Sequence, residues 1–301
     1  MSALDALLHR PRPTPWQLFL RQPCVYLARL LFSWHPAASI KPLTEPVSVV
    51  CISDTHNSQP NLPDGDILIH AGDLTQSGTL KELQAALAWL QSQPHPVKIV
   101  VAGNHDILLD PDQDRSAPSA PDDAARQRRA LVWGDIVYLE NAEKTIVCPN
   151  GRHLRIYGSP LSPRHGNWAF QYPRSKDVWK DKAPPGVDIL ITHGPPLAHL
   201  DLQLGCVHLL KELWRVRPRL HVFGHVHEGA GTERVQFDRV QAAYERTVLN
   251  GGGILNVSRV LVRLLLEYLR PTSRAQCILV NASMVGGLRD DERRHPVKVT
   301  L

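Results

Sequence analysis

Short apolar runs recur along the chain at lengths that suit buried strands. The first, Val47 to Ser53, reads VSVVCIS; others run over Ile67 to Ala71, Lys98 to Ala102, Leu154 to Gly158, Val187 to Thr192, Leu220 to Gly224 and Cys277 to Val280. Runs this rich in β-branched residues, with little polar alternation, suit strands covered on both faces. Between the second and third lies TLKELQAALAWLQSQ. There Leu80, Leu83, Leu87 and Leu90 fall at helical intervals, and Thr79 with Glu82 has the spacing of a capping box. Cys206 to Val216 is a second predicted helix, with Leu209, Leu210, Leu213 and Trp214 on its apolar face. Strands alternating with helices predict an α/β domain. Asp110 to Arg129 is expected as a surface loop leading into a short helix, and Pro173 to Pro185 as a polar connection. No internal repeat is visible.

Two apolar segments stand outside this alternation. One, Trp16 to Trp34, is broken by Arg21, Pro23 and Arg29, which suits neither a secretory signal nor a membrane span. The other, Leu255 to Leu269, is apolar around most of its circumference. Its polar residues Arg259, Arg263, Glu267 and Arg270 form one stripe, with Arg263 and Glu267 placed as an i,i+4 pair. A helix this apolar is ordinarily buried, so the two segments are expected to pack on each other or on the core. The cationic stripe beside a wide apolar face also fits a cover over a hydrophobic mouth, or peripheral contact with a membrane surface.

Composition narrows the class without deciding it. The chain has 301 residues, 43% hydrophobic and 21% charged, which is ordinary for a globular protein. A net charge of +5 suits an anionic substrate, but no dense basic run with interleaved aromatics appears, so nucleic acid is not an expected partner. Five scattered cysteines contain no CxxC pair and argue for a reducing, cytoplasmic setting. Histidine is the anomaly: there are 15, several of them at the ends of apolar runs.

Those run ends carry the candidate chemistry. The first delivers Asp54-Thr55-His56, the second Gly72-Asp73, and the third Gly103-Asn104-His105-Asp106. Later ones deliver Thr192-His193-Gly194 and Gly224-His225-Val226-His227. Taken alone, Asp-x-His is a weak metal signal, Gly-Asp and Gly-Asn-His-Asp read as polar turns, and Gly-His-Val-His reads as a strand with two histidines on one face. Five in succession, all at carboxyl ends of strands where open α/β sheets bind ligands, point to one metal site. Asp, His and Asn without thiolate suit Mn, Fe, Zn, Ni or Mg rather than copper(I) or iron–sulfur clusters.

The ordered set D-x-H, G-D, G-N-H-D, a lone His and G-H-x-H resembles the calcineurin-like metallophosphoesterase family. The likeness covers about Val47 to Gly231, plus the strand running into Asn281-Ala282-Ser283. DTH, HAGDLT, GNHD, IYGSP, ILITHGPP, RPRLHVFGHVHEG and NAS are similar to the metallophosphoesterase-domain-containing subgroup of animals and fungi. Some animal members of that subgroup lack the first histidine of G-H-x-H; here it is His225.

The resemblance implies an α/β fold of two mixed sheets packed as a β-sandwich and flanked by helices. On this sequence that leaves an apolar extension over residues 1–45 and a domain over 46–301 with a helical insertion near 233–274. It implies two divalent ions, one held by Asp54, His56 and His227, the other by Asn104, His193 and His225, with Asp73 bridging. His105 would face the substrate phosphate. Apart from the resemblance, Asp106 is expected to orient His105, since a histidine's second nitrogen usually needs a partner. The implied reaction is hydrolysis of a phosphodiester or phosphomonoester of a small molecule, by in-line attack of a hydroxide bridging the ions. Protein phosphatase activity, or a metal-bound scaffold with vestigial activity, are the alternatives. Asn57, Arg164 and His165 are candidate substrate contacts. His199 and His208 are expected to cap or pack.

Overall fold

The computed structural model describes residues 14–35, 44–112, 121–269, 275–287 and 291–301. The chain divides into two compact units, one of Met1–Ile40 with Arg234–Gln276, the other of Lys41–Glu233 with Cys277–Leu301. Residues 1–13 and 36–43 of the expected 1–45 extension, Arg270 of the polar stripe, and part of the loop after Asp110 lie outside the described residues.

The larger unit is built on two mixed sheets. Strands β1 (Ser48–Ile52), β2 (Ile67–Ala71), β3 (Val97–Val101), β4 (Ile136–Tyr138), β5 (Ala142–Val147), β6 (His153–Ser159), β7 (Ile189–Thr192), β8 (Leu220–Phe223), β9 (Gly231–Gln236), β10 (Gln276–Asn281) and β11 (Val297–Thr300) supply them. One sheet has the order β11-β1-β2-β3-β4, the other β9-β10-β8-β7-β6-β5. In the first, β1, β2, β3 and β4 run parallel and β11 closes the edge antiparallel. In the second, β6, β7, β8 and β10 run parallel, with β5 antiparallel to β6. The sheets approach closely at Gly158, where a Cβ would press on Leu139 and on Val101 of β3.

The continuous apolar runs are explained by burial on both sides. In β1, Val49, Val50, Cys51 and Ile52 are all fully buried. Val50, Ile52, Leu68 and Val100 face the helix α3 (Leu80–Gln91), which inserts Leu83, Ala86, Leu87 and Leu90 into the same core. Alternate residues of these strands point the opposite way. The helix begins where the sequence places it: Thr79 Oγ accepts from the Glu82 amide, and the Glu82 carboxylate accepts from the Thr79 amide. α4 (Pro121–Ala130) follows the expected loop, and α5 (Val207–Val216) is capped by Cys206. All five cysteines are free thiols.

The smaller unit is helical. α1 (Pro15–Arg21) and α2 (Pro23–Ser33) come from the N-terminal segment; α6 (Arg239–Leu249) and α7 (Ile254–Leu269) come from the later one. Phe32 stacks on Tyr244 with centroids 4.3 Å apart, and Tyr268 Oη donates to the Trp34 carbonyl at 2.6 Å. Asp238 caps α6 by accepting from the Val240 and Gln241 amides, and its other oxygen lies 3.0 Å from His35 Nε2. Among the described residues, no helix is long and apolar enough to cross a membrane.

Candidate metal centre

Five parallel strands bring their carboxyl ends to one locality of the larger unit. β1, β2 and β3 deliver Asp54, His56, Asp73 and Asn104 from one sheet; β7 and β8 deliver His193, His225 and His227 from the other. The turns that do this are strained. Asp54, His56, Asp73 and His225 all have positive φ, at 51°, 43°, 54° and 68°. Non-glycine residues rarely adopt this region, and such strain collects where a site must hold a geometry the chain would not choose. Glycine supplies the remaining room at two places. A Cβ on Gly103 would collide with the Asp73 carboxylate, and one on Gly224 with the Asp54 carboxylate and Ser53.

The candidate donor atoms fall into two groups. Asp54, His56, Asp73 and His227 each offer an atom, and all four lie within 4.8 Å of one another. That spread matches ligands about 2.0–2.4 Å from a shared ion. Beside them, His193 Nε2 lies 2.9 Å from Asn104 Oδ1, 3.2 Å from His225 Nδ1 and 3.4 Å from Asp73 Oδ2. Asp73 Oδ2 also lies 3.8 Å from His56 Nε2, so one carboxylate oxygen faces both groups.

Burial makes this arrangement costly without a cation. Asp54 is 0% and Asp73 2% exposed, and both ring nitrogens of His56 are buried with no hydrogen-bond partner. A buried polar atom with no partner costs about 1–3 kcal/mol, and buried carboxylates need compensating positive charge. A divalent ion answers both needs. Burial alone would raise Asp54, but the hydrogen bond and charge of His227 hold it well below the carboxylate range. Asp73 is held low in the same way, with His193 outweighing burial. Burial lowers His56, and burial with the nearby His193 pushes His225 down to about 3, so both offer neutral rings. His193 goes the other way: burial disfavours its charge, but Asp73 and Asp54 push it up to about 9.

Partners beyond the donors fix their orientation. His193 Nδ1 donates to the Ala71 carbonyl at 3.0 Å, which turns Nε2 toward the site. Asp54 accepts the His225 amide at 3.0 Å and the Ser283 hydroxyl at 2.8 Å. Asp73 Oδ1 accepts the His105 amide at 2.7 Å.

His105 sits at the rim. Its ring meets His56 edge-on at 4.7 Å and stacks on Trp168 at 4.3 Å. The expectation that Asp106 orients it is corrected by the structure. His105 Nδ1 instead donates to the Gln76 carbonyl at 2.8 Å. Asp106, fully buried, accepts from the amides of Leu74, Thr75 and Gly103 and from the Thr75 hydroxyl. It thereby clamps the loop bearing Asp73 to the loop bearing Asn104 and His105. Burial, with Asp73 nearby, pushes Asp106 up to about 6.

The remaining candidates divide. His165 approaches His225 with centroids 4.7 Å apart and lies 2.7 Å from Gln171 Nε2. Arg164 is exposed. Asn57 turns its amide to Glu82 Oε1 at 2.7 Å. His199 lies 3.0 Å from Glu233 and His208 3.1 Å from Asp177, as paired rather than ligating side chains. Trp168, the Gln76 carbonyl and Ser283 were not singled out from the sequence. Trp168 lies a few residues after Arg164 and His165, and Ser283 in the NAS segment, but a carbonyl partner leaves no residue-type signal.

Comparison with known proteins agrees with this geometry. The family model for calcineurin-like phosphoesterases matches residues 47–229. The chain belongs to the calcineurin-like phosphoesterase family. Members of that family normally hold two divalent ions, and Asp54, His56, Asp73 and His227 form a candidate metal-binding cluster here. "Probable rhamnogalacturonate lyase C" of Emericella nidulans is 44% identical over 309 residues, covering all of this chain and 29% of that protein. "Metallophosphoesterase domain-containing protein 1" of Homo sapiens is 43% identical over 206 residues, 60% of this chain and 61% of that protein. "UPF0046 protein K07C11.7" of Caenorhabditis elegans is 37% identical over 197 residues, 62% of this chain and 65% of that protein. The chain therefore spans less than two thirds of the length of each of these relatives.

Proposed function

We propose that this calcineurin-like chain hydrolyses phosphate esters of small molecules, monoester or diester, using two divalent ions held by the seven side chains above. The observation that carries the reading is the shared position of Asp73 Oδ2, 3.8 Å from His56 Nε2 and 3.4 Å from His193 Nε2. Two ions clamped this way would neutralise phosphate oxygens and lower the pKa of a coordinated water. Asp54, His56 and His227 would hold one ion, Asn104, His193 and His225 the other, and Asp73 both. Mn, Fe, Zn, Ni and Mg all suit these donors.

The protein's own part is placement and charge. His105, with Nδ1 tied to the Gln76 carbonyl, keeps Nε2 as its free nitrogen, suited to stabilising or protonating the leaving oxygen. Trp168 fixes the plane of that ring. His165, beside His225, is placed to contact a substrate oxygen. The lyase in the name of the fungal relative belongs to a protein of which this chain matches 29%, and nothing in the donor set favours carrying it over.

The test is a metal-reconstituted screen against paired monoesters and diesters, including cyclic nucleotides and lipid-like phosphates. Turnover that depends on added metal and is lost in Asp73→Asn supports the reading. Two bound ions with no turnover on any ester would leave a metal-bound scaffold instead.

A further inference from the structure

The helical unit turns an apolar face to solvent. α7 buries only Val260 and Leu264. On its opposite side Leu255, Leu261, Val262, Leu265, Leu266 and Leu269 are exposed, from 42% for Leu261 to 78% for Leu269. Ile254 and Tyr268 are exposed as well, at 79% and 56%. At about 100° per residue these positions share one arc, interrupted only by Ser258 and bordered by Arg259 and Arg263. An ordinary surface helix is oriented the other way.

The face extends beyond α7. Leu27, Leu30 and Trp34 form an exposed i, i+3, i+7 stripe on α2 and its end, and Trp34 is joined to α7 through the Tyr268 hydroxyl. Trp16 and Leu20 on α1 are exposed at 66% and 62%. An apolar arc left in solvent along the length of α7 marks an interaction site.

Charge selects the occupant. These helices carry Arg21, Arg29, Arg239, Arg246, Arg259 and Arg263 and no lysine. Of their carboxylates, Asp238 and Glu245 are buried, which leaves Glu267 as the one that is not, among the described residues. A second copy of the face would meet the first with like charge. An anionic lipid surface would not, and Trp and Tyr at the margins of an apolar face suit the headgroup boundary. α7 has 16 residues, about 24 Å of helix, too short to span a hydrocarbon core of about 30 Å.

We infer that the apolar face of α7, continued by α2 and rimmed by arginines, docks this chain flat on an anionic phospholipid bilayer. This goes beyond the proposed phosphoesterase activity and does not depend on it.

The experiment is flotation of the full chain with vesicles of phosphatidylcholine, with and without phosphatidylserine. The account expects binding to the anionic vesicles that weakens with salt. Leu265→Glu with Leu266→Glu should lower partitioning by at least about tenfold, since each change removes part of a buried leucine's transfer energy. Both side chains are exposed in solution, so circular dichroism and turnover of a soluble ester should stay at wild-type values. Arg259→Glu with Arg263→Glu should abolish the preference for phosphatidylserine while keeping the apolar face. Absence of vesicle binding by the wild-type chain would overturn the inference, as would equal partitioning of wild type and the leucine variant. A dimer that the leucine variant dissolves, with no vesicle binding, would assign the face to a second copy and overturn it too.

Discussion

Gly224→Ala tests how the Asp54 side of the centre is held. Gly224 has a backbone that alanine can adopt, since its φ lies outside the left-handed region, so the substitution acts through space alone. The added methyl would collide with the Asp54 carboxylate and with Ser53. Asp54 cannot yield freely. It accepts the His225 amide at 3.0 Å and the Ser283 hydroxyl at 2.8 Å, and it faces His227 at 3.3 Å. Overpacking of a full interior costs about 1–3 kcal/mol, and weakening one charge-assisted hydrogen bond adds about 1.5 kcal/mol or more. A loss near 3 kcal/mol, at about 2–4 °C per kcal/mol for a protein of this size, lowers Tm by about 6–12 °C. Displacing a ligand by about 1 Å should also cost on the order of 100-fold in kcat/KM. Calorimetry and ester turnover on the metal-loaded protein give both numbers. If the substitution acts through Asp54, adding it to Asp54→Ala should change turnover little. Wild-type metal content and turnover in Gly224→Ala would refute the reasoning.

Further predictions concern the rim and the proton balance. His105→Ala should keep both ions and lower kcat by about 10²–10⁴-fold, with Trp168→Ala showing a smaller loss of the same kind; loss of metal from either variant would place these residues in the donor set instead. Without metal, the His193 imidazolium adds stability that is complete below the unfolded value near 6.5 and is lost as pH rises toward about 9. An ion bound at His193 Nε2, as proposed, would displace that proton. Its binding should therefore tighten as pH rises from about 6.5 to about 9 and release up to about one proton near pH 7, read by calorimetry in buffers of different ionisation enthalpy; pH-independent binding with no proton release would contradict this.

Much of the centre is legible in the sequence because strand ends are. VSVVCIS followed by Asp54-Thr55-His56 states both the strand and its cargo, and the glycines beside Asp73, Asn104 and His225 mark the close approaches found at Gly103 and Gly224. What stays hidden is contact chemistry between distant segments. Gln76 reaches His105 through its main chain, and Ala71 reaches His193 the same way, so neither partner depends on its side chain. Asp106 follows His105 in sequence, but the tight loop turns its carboxylate to the amides of Leu74, Thr75 and Gly103. The expectation for α7 was partly right in kind: it does pack against its neighbours. Yet Val260 and Leu264 are its only buried side chains, and its wider apolar arc is left in solvent, which a count of apolar residues cannot distinguish from burial.

The central claim is that Asp73 is shared by two ions. Elemental analysis of the purified chain after metal reconstitution and gel filtration, alongside Asp73→Asn, tests it directly. Two divalent ions per wild-type chain and fewer in the variant are the predicted result. One ion or none in the wild type, or two retained by the variant with undiminished affinity, would contradict it.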